Sequence, residues 1–168
     1  MMEALSQGMD VIAVSKGALV TSFKEVMEVA EKHGAKLKYS GATAAALPTL
    51  DIGEYSLAGS TITSITGILN GTSNYILTSM YQEQLSFEQA LNHAQEKGIA
   101  EANADMDVKG IDSACKILLL SNRFLGANNR LNDIQISGID EITTEDLAEA
   151  NAEGKKLKLI AHAFVNHN

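Results

Sequence analysis

The stretch from residue 11 to residue 40, VIAVSKGALVTSFKEVMEVAEKHGAKLKYS, places a helical pattern between two short apolar runs. Its first run, Val11–Val14, is apolar at every position, which is typical of a strand buried on both faces. After a break in the pattern, Thr21 or Ser22 can cap a helix whose stop signal is Gly34. With a second short strand near its end, the stretch predicts a strand–helix–strand unit.

This unit is typical of the last part of a dinucleotide-binding domain, and Lys36–Tyr39 supplies its second strand. The phosphate-binding fingerprint Gly-x-Gly-x-x-Gly occurs nowhere in the 168 residues, so the half of such a domain that carries it is not in this sequence. Small residues surround the only proline in Gly41–Pro48, which indicates close packing or a hinge. We therefore predict a first domain over residues 1–42 and a second over residues 43–168.

The rest of the chain alternates strand and helix patterns. Ser86-Phe87-Glu88-Gln89 fits a capping box at the start of a helix. The other predicted elements are strands at 61–69 and 134–136 and from 157, and helices at 73–82, at 111–125 and from 144. The pattern predicts an α/β (α+β) fold, in which the end of a Rossmann-type domain joins a mixed or antiparallel sheet covered by helices.

An acidic segment lies between two of the predicted helices. Residues 98–116, GIAEANADMDVKGIDSACK, carry four acids and two lysines. Asp112 and Lys116 are four residues apart, so they project from one face of the helix, and Glu101 and Asp107 precede them in the loop. A helix N-terminus favours carboxylates and can also hold an anionic ligand group. On spacing alone, an ordinary ion pair on a solvated face remains the alternative.

Composition argues against several classes of function. The net charge of −8 and the pI near 4.9 argue against nucleic acid or an anionic membrane surface as a partner. The single cysteine excludes an internal disulfide, and no histidine and cysteine set has zinc-ligand spacing. The sequence predicts no signal peptide, and no apolar run approaches the roughly 20 residues that span a bilayer. We therefore expect a cytoplasmic protein with no membrane partner.

Three motifs together resemble the homoserine dehydrogenases. They are VSKGAL at 14–19, GILNGTSNYIL at 67–77, and Gly98-x-Ala-Glu101 followed by Asp107-x-x-Gly110-x-Asp112-x-x-x-Lys116. The resemblance spans about residues 9–165. It implies NAD- or NADP-dependent interconversion of L-homoserine and L-aspartate 4-semialdehyde, in threonine and methionine biosynthesis, by a homodimer.

The resemblance also implies roles for single residues. Lys116 and Lys16 would be the catalytic lysines, the first exchanging a proton with the substrate oxygen and the second lying near the nicotinamide. The substrate would contact Glu101, Asp107, Asp112, Gly71 and Thr72. The cofactor would contact Lys16, Gly98 and Glu101. These residue types suit an amino acid, because carboxylates bind its ammonium group and a helix start can bind its carboxylate.

A monovalent cation site is also implied by the resemblance, in the segment Tyr39–Pro48. The glutamate that the family usually has there is Ser40 in this chain. Only the backbone carbonyls of Thr43, Ala45 and Leu47 then remain as predicted sodium ligands.

Two other functions stay open. Because the phosphate-binding glycines are missing, the chain could be a noncatalytic dimerisation or substrate-binding module without cofactor binding. It could also belong to a related dehydrogenase that acts on a different amino-acid-like alcohol or acid. If the chain belongs to a homoserine dehydrogenase, residues 1–42 are the remnant of the nucleotide-binding domain. Residues 43–168 are then the substrate-binding and dimerisation domain, truncated at its C-terminus.

Overall fold

The computed structural model describes residues 1–166, which form two compact units. Of the described residues, the first unit comprises Met1–Ile65, Cys115–Ile134 and 162–166, and the second comprises Thr66–Ala114 and Gln135–Ala161. The helices are α1 (Met2–Ser6), α2 (Lys16–Lys32), α3 (Ser40–Thr43), α4 (Thr49–Asp51), α5 (Gly71–Glu83), α6 (Phe87–Glu96), α7 (Asp105–Val108), α8 (Ile111–Phe124) and α9 (Thr144–Ala152). The strands are β1 (Val11–Ile12), β2 (Leu37–Lys38), β3 (Ser64–Gly67) and β4 (Ala161–Phe164). A π-helical turn covers Ile52–Ser56, and a 3₁₀ turn covers Leu131–Asp133.

The first unit contains the predicted strand–helix–strand arrangement. Strands β1 and β2 pair in parallel, with Val11 opposite Leu37, and α2 connects them. Leu19 and Val26 are buried on the inner face of α2 because they recur at helical spacing. The helix ends one residue before His33 and is followed by Gly34 at φ +64°, which confirms the predicted stop.

Two details of this region differ from the sequence prediction. Helix α2 begins at Lys16, inside the predicted break, and Ser22 lies within it at non-helical φ/ψ. The Thr21 hydroxyl does not cap the helix, because it donates to the carbonyl of Gly17 one turn earlier. The prediction that β1 is buried on both faces is also wrong for the described residues, since the exposed fraction is 83% at Ile12 and 70% at Val14.

The second unit is built on α5 and α6, which contact each other and are joined by a short loop. Ser86 and Gln89 exchange both hydrogen bonds of the predicted capping box at the start of α6. Helices α5, α6, α7 and α9 share one apolar core. Its buried members are Ile76, Leu77, Met80, Ala90, Ala94, Ala100, Ala104, Val108, Ile139 and Leu147.

The strand predicted at residues 134–136 is wrong, because this segment has no regular structure after the 3₁₀ turn. Its continuation packs against the end of α7, where the Ile139 N–H donates to the Val108 carbonyl at 2.7 Å. Likewise, the strand expected from Leu157 begins only at Ala161, and Leu157 packs instead against the core of the second unit. Strands β3 and β4 form the second two-stranded sheet.

Helix α9 offers a test of local electrostatics. Hydrogen bonds from the side chain and the backbone N–H of Thr143 hold the pKa of Asp146 below its usual 3.8. The ionised carboxylate therefore stabilises the fold above pH 3.8, and this contribution is lost as the pH falls through the lowered pKa. We expect Asp146→Asn to reduce the free energy of unfolding at pH 7, with the difference from the parent protein shrinking below pH 3.8.

Denaturant unfolding at a series of pH values measures this effect. Glu149→Gln is the matched control, because Glu149 is exposed on the same helix. Equal pH profiles for Asp146→Asn and the parent protein would contradict the assigned cause.

The predicted division into domains at residues 42 and 43 stays a prediction, since the two compact units interleave along the chain. Among residues 1–166, none of the helices is both long and apolar enough to cross a membrane.

Candidate active site

The start of helix α5 is set by Asn70, which is only 6% exposed. The Asn70 side-chain oxygen accepts the Ser73 N–H at 2.8 Å, which is the N-cap hydrogen bond, and the Ser73 hydroxyl donates back to the Asn70 carbonyl at 3.3 Å. Asparagine is among the best N-cap residues, so α5 begins directly after Asn70, two residues before the predicted start at residue 73. Gly71 and Thr72, two predicted substrate contacts, are therefore the first residues of α5.

The nitrogen of the Asn70 side-chain amide forms hydrogen bonds with two of the predicted site carboxylates. Asn70 Nδ2 donates to Asp107 Oδ1 at 2.6 Å and to Asp112 Oδ2 at 3.0 Å. Asp112 is 6% exposed, and a carboxylate so deeply buried needs partners of this kind. The structure thus brings Asp107 and Asp112 together through Asn70, a residue of the motif at 67–77 for which the sequence predicts no contact.

Gly110 and its close contact with the Ser137 backbone position Asp107 and Asp112. Gly110 has φ +78° between α7 and α8, and a Cβ atom there would lie 2.9 Å from the Ser137 carbonyl oxygen. Its own carbonyl accepts the Ala114 N–H, which is the first turn of α8. Asp107 on α7 and Asp112 on α8 therefore face Asn70 from the two sides of this sharp turn.

The loop that carries Glu101 is tied to both neighbouring helices. The Gln95 side-chain amide donates to the carbonyls of Glu101 and Ala102, each at 3.2 Å. The Thr72 hydroxyl donates to the Ile99 carbonyl at 3.1 Å. Gly98, which follows α6 at φ +68°, begins this loop. The Glu101 residue itself is exposed.

The two predicted catalytic lysines belong to the first unit. Lys16 is the first residue of α2, and Lys116 lies on α8 one helical turn after Asp112. Both are partly buried.

In the predicted sodium segment, one of the three backbone carbonyls predicted as ligands accepts a hydrogen bond within the chain. The Leu47 carbonyl accepts the Thr49 N–H at 2.8 Å, and the Thr43 hydroxyl donates to the Ser40 carbonyl at 3.0 Å. Ala45 has φ 52°, which turns the backbone sharply between them. In the part of the chain that the structure describes, no three His, Cys, Asp or Glu side chains are grouped as metal ligands. The cation site at Thr43, Ala45 and Leu47 stays a prediction.

A cavity of about 380 Å³ lies elsewhere in the second unit and contains none of the predicted site residues. It is lined by Leu77, Gln135, Ser137, Gly138, Ile139, Ile142, Leu157, Lys158, Leu159 and Ile160. Lys158 donates to Asn74 Oδ1 at 2.8 Å and to Thr78 Oγ1 at 2.9 Å. Burial, and next the charge of Lys156, lower the pKa of Lys158.

The chemistry of the Asn70 cluster is that of a cation-binding site. Two carboxylate oxygens that accept from one amide nitrogen must lie close together. An ammonium group bound at this pair would gain strong, charge-assisted hydrogen bonds.

A family model described as homoserine dehydrogenase matches residues 48–168. The chain belongs to the homoserine dehydrogenase family. The homoserine dehydrogenase of Methanocaldococcus jannaschii is 42% identical over 159 residues, which are 95% of this chain and 47% of that protein. A protein of Pseudomonas canavaninivorans, named NAD(+)-dependent homoserine dehydrogenase, is 35% identical over 97% of this chain and 46% of its own length.

Solved homoserine dehydrogenases share the fold. The structure from Thiobacillus denitrificans superposes with a TM-score of 0.95 at 30% identity, covering 99% of this chain and 39% of that one. The structure from Staphylococcus aureus gives a TM-score of 0.83 at 33% identity, with the same two coverages. The resemblance and the α/β fold class are confirmed. This member of the homoserine dehydrogenase family spans about half the length, or less, of the relatives that it matches.

Proposed function

We propose that this chain carries the substrate-binding and proton-transfer residues of a homoserine dehydrogenase, which interconverts L-homoserine and L-aspartate 4-semialdehyde with NAD or NADP. The observation that carries the proposal is that Asn70 bonds to both Asp107 and Asp112, and that Asp112 lies in the first turn of α8, the helix that also bears Lys116. Membership of the homoserine dehydrogenase family supports it.

The substrate is an amino acid with a terminal alcohol, so both its charged groups need a partner. Asp107 and Asp112, with Glu101 from the preceding loop, bind the ammonium group. The first residues of α5, Gly71 and Thr72, bind the carboxylate, because the backbone N–H groups of a first helical turn point at an incoming anion.

Lys116 is the residue that transfers the proton in this proposal. Oxidation of the alcohol releases the hydroxyl proton, and Lys116 takes it up at the substrate oxygen and returns it in the reverse direction. The nicotinamide cofactor, when bound, supplies the hydride chemistry. Lys16, Gly98 and Glu101 contact it from this chain, and Lys16 acts as the second active-site lysine.

The same proposal covers the location, the oligomeric state and the pathway of the protein. The protein is a cytoplasmic homodimer in threonine and methionine biosynthesis, acts on a small molecule, and binds neither nucleic acid nor a membrane.

A monovalent cation bound by Thr43, Ala45 and Leu47 would make the activity depend on sodium. The measurement compares activity in sodium chloride with activity in choline chloride at equal ionic strength.

A change of Asp112 to asparagine tests the substrate site. We expect Asp112→Asn to raise KM for homoserine about 10- to 100-fold, because a charge-assisted hydrogen bond to the ammonium becomes a neutral one. The assay follows NADP+ or NAD+ reduction by homoserine in the protein at the full length that its gene encodes. Asp105→Asn is the matched control, since Asp105 is exposed at the start of α7 and pairs with Lys109 at 3.1 Å. Failure of the parent protein to turn over homoserine would reject the proposed function itself.

The second candidate function is a noncatalytic dimerisation or substrate-binding module. The absence of Gly-x-Gly-x-x-Gly from the 168 residues favours it. Titration of the 168-residue chain with NAD+ and NADP+ separates the two views. Micromolar nucleotide binding with turnover of homoserine would contradict the module, whereas homoserine binding without nucleotide binding would support it.

A further inference from the structure

Asn70 occupies the junction between the two halves of the proposed substrate site. Its side-chain oxygen is committed to the Ser73 N–H at the start of α5, and its nitrogen is committed to Asp107 and Asp112. We propose that Asn70 is a positioning residue, which fixes the distance between the carboxylate pair and the N-terminus of α5 so that one α-amino acid spans both. This inference rests on the proposed function.

The amide has one possible orientation, which makes the arrangement rigid. If the amide were flipped, its NH2 group would face the Ser73 N–H donor and its oxygen would face two carboxylates, so every contact would be repulsive. Asn70 is 6% exposed, so water cannot readily replace the lost partners. The hydrogen-bond pattern therefore determines where both amide atoms lie.

The chemistry of an amino acid explains why such a residue is needed. The ammonium and carboxylate groups of an α-amino acid are attached to the same carbon, so a cation site and an anion site must adjoin at a set spacing. The carboxylate pair is the cation site, and the first turn of α5, at Gly71 and Thr72, is the anion site. Asn70 is hydrogen-bonded to the pair and begins the turn, so it links the two.

Asparagine does both tasks, whereas a serine would do only one. Serine caps helices about as well as asparagine, but its hydroxyl has a single proton and cannot cap α5 and bridge two carboxylates. Asn70→Ser thus keeps the helix start and removes the bridge. Asn151→Ser is the matched control, because Asn151 lies in the same unit, is exposed, and accepts a hydrogen bond from the Tyr81 hydroxyl at its side-chain oxygen.

The first measurement is homoserine binding to the 168-residue chain by NMR titration, together with thermal melting. We expect Asn70→Ser to weaken binding at least about 10-fold with its melting temperature close to that of Asn151→Ser, which should bind homoserine like the parent. In the full-length enzyme the same change should raise KM for homoserine and leave KM for the nucleotide unchanged. Equal homoserine affinity of Asn70→Ser and the parent would overturn the proposal.

A second measurement needs no substrate and no folded Asn70 variant. The ¹H–¹⁵N signals of the Asn70 side-chain amide should move in both Asp107→Asn and Asp112→Asn, and stay in place in Asp105→Asn. Unmoved signals in the first two variants would overturn the bridge. If the parent chain binds no homoserine, the proposed function fails, and these signals alone decide whether Asn70 positions the two carboxylates.

Discussion

Lys116→Ala is expected to lower kcat for homoserine oxidation about 1,000-fold while the protein stays folded. A positioned group that takes the hydroxyl proton contributes roughly 10² to 10⁴ to the rate, and alanine leaves none at this position. Lys116 is partly buried on α8, whose neighbouring positions Ile117 and Leu118 form the buried stripe, so the helix itself should persist. The measurement is kcat in both directions, with circular dichroism to verify folding.

Two further lysine variants make this result specific. Lys116→Arg keeps the positive charge, but the guanidinium group does not release a proton near neutral pH, so kcat should fall nearly as far as in alanine. Lys109→Ala removes an exposed lysine whose pairing with Asp105 contributes little, so its kcat should match the parent. Parent-like rates in Lys116→Ala would remove this lysine from the mechanism.

The features that the sequence predicts correctly are those encoded by neighbouring residues. The capping box of Ser86 and Gln89 depends on two side chains three residues apart, and both of its hydrogen bonds are present. The stop of α2 at Gly34 depends on a single residue that tolerates positive φ. Such signals do not require knowledge of the rest of the fold, so they can be recognised in one sequence.

The features that sequence misses depend on distant partners. Asn70 meets Asp107 and Asp112, which are 37 and 42 residues away, so no local spacing indicates the bridge. Its only sequence signal is the choice of asparagine at a helix start, where serine would cap as well but would offer no NH2 group. The strand predicted at 134–136 fails for the same reason, because alternation alone does not show whether a neighbouring strand is available to pair.

The site depends further on one close backbone approach, at Gly138. The Ile139 N–H donates to the Val108 carbonyl at 2.7 Å, so the segment around Gly138 lies directly against the end of α7. A Cβ atom at Gly138 would meet the Asp140 carboxylate and would stand 2.7 Å from the Val108 carbonyl oxygen and 2.9 Å from Lys109 Cα. Two of these three obstacles are backbone atoms, which cannot rotate away as a flexible side chain can.

Gly138→Ala is therefore expected to reduce the free energy of unfolding by about 3 kcal/mol, the upper part of the usual cost of overpacking, and to lower the melting temperature by roughly 10 °C. Because Val108 directly follows Asp107, relief of the clash should also displace that carboxylate and weaken homoserine binding. Gly17→Ala is the control, since a Cβ atom there would meet nothing within 4 Å and alanine favours the helix. A Gly138→Ala protein with unchanged stability would mean that α7 can move away from this segment. The position of the carboxylate pair would then depend more on Asn70, and we expect Asn70→Ser to weaken homoserine binding more in the Gly138→Ala background than in the parent.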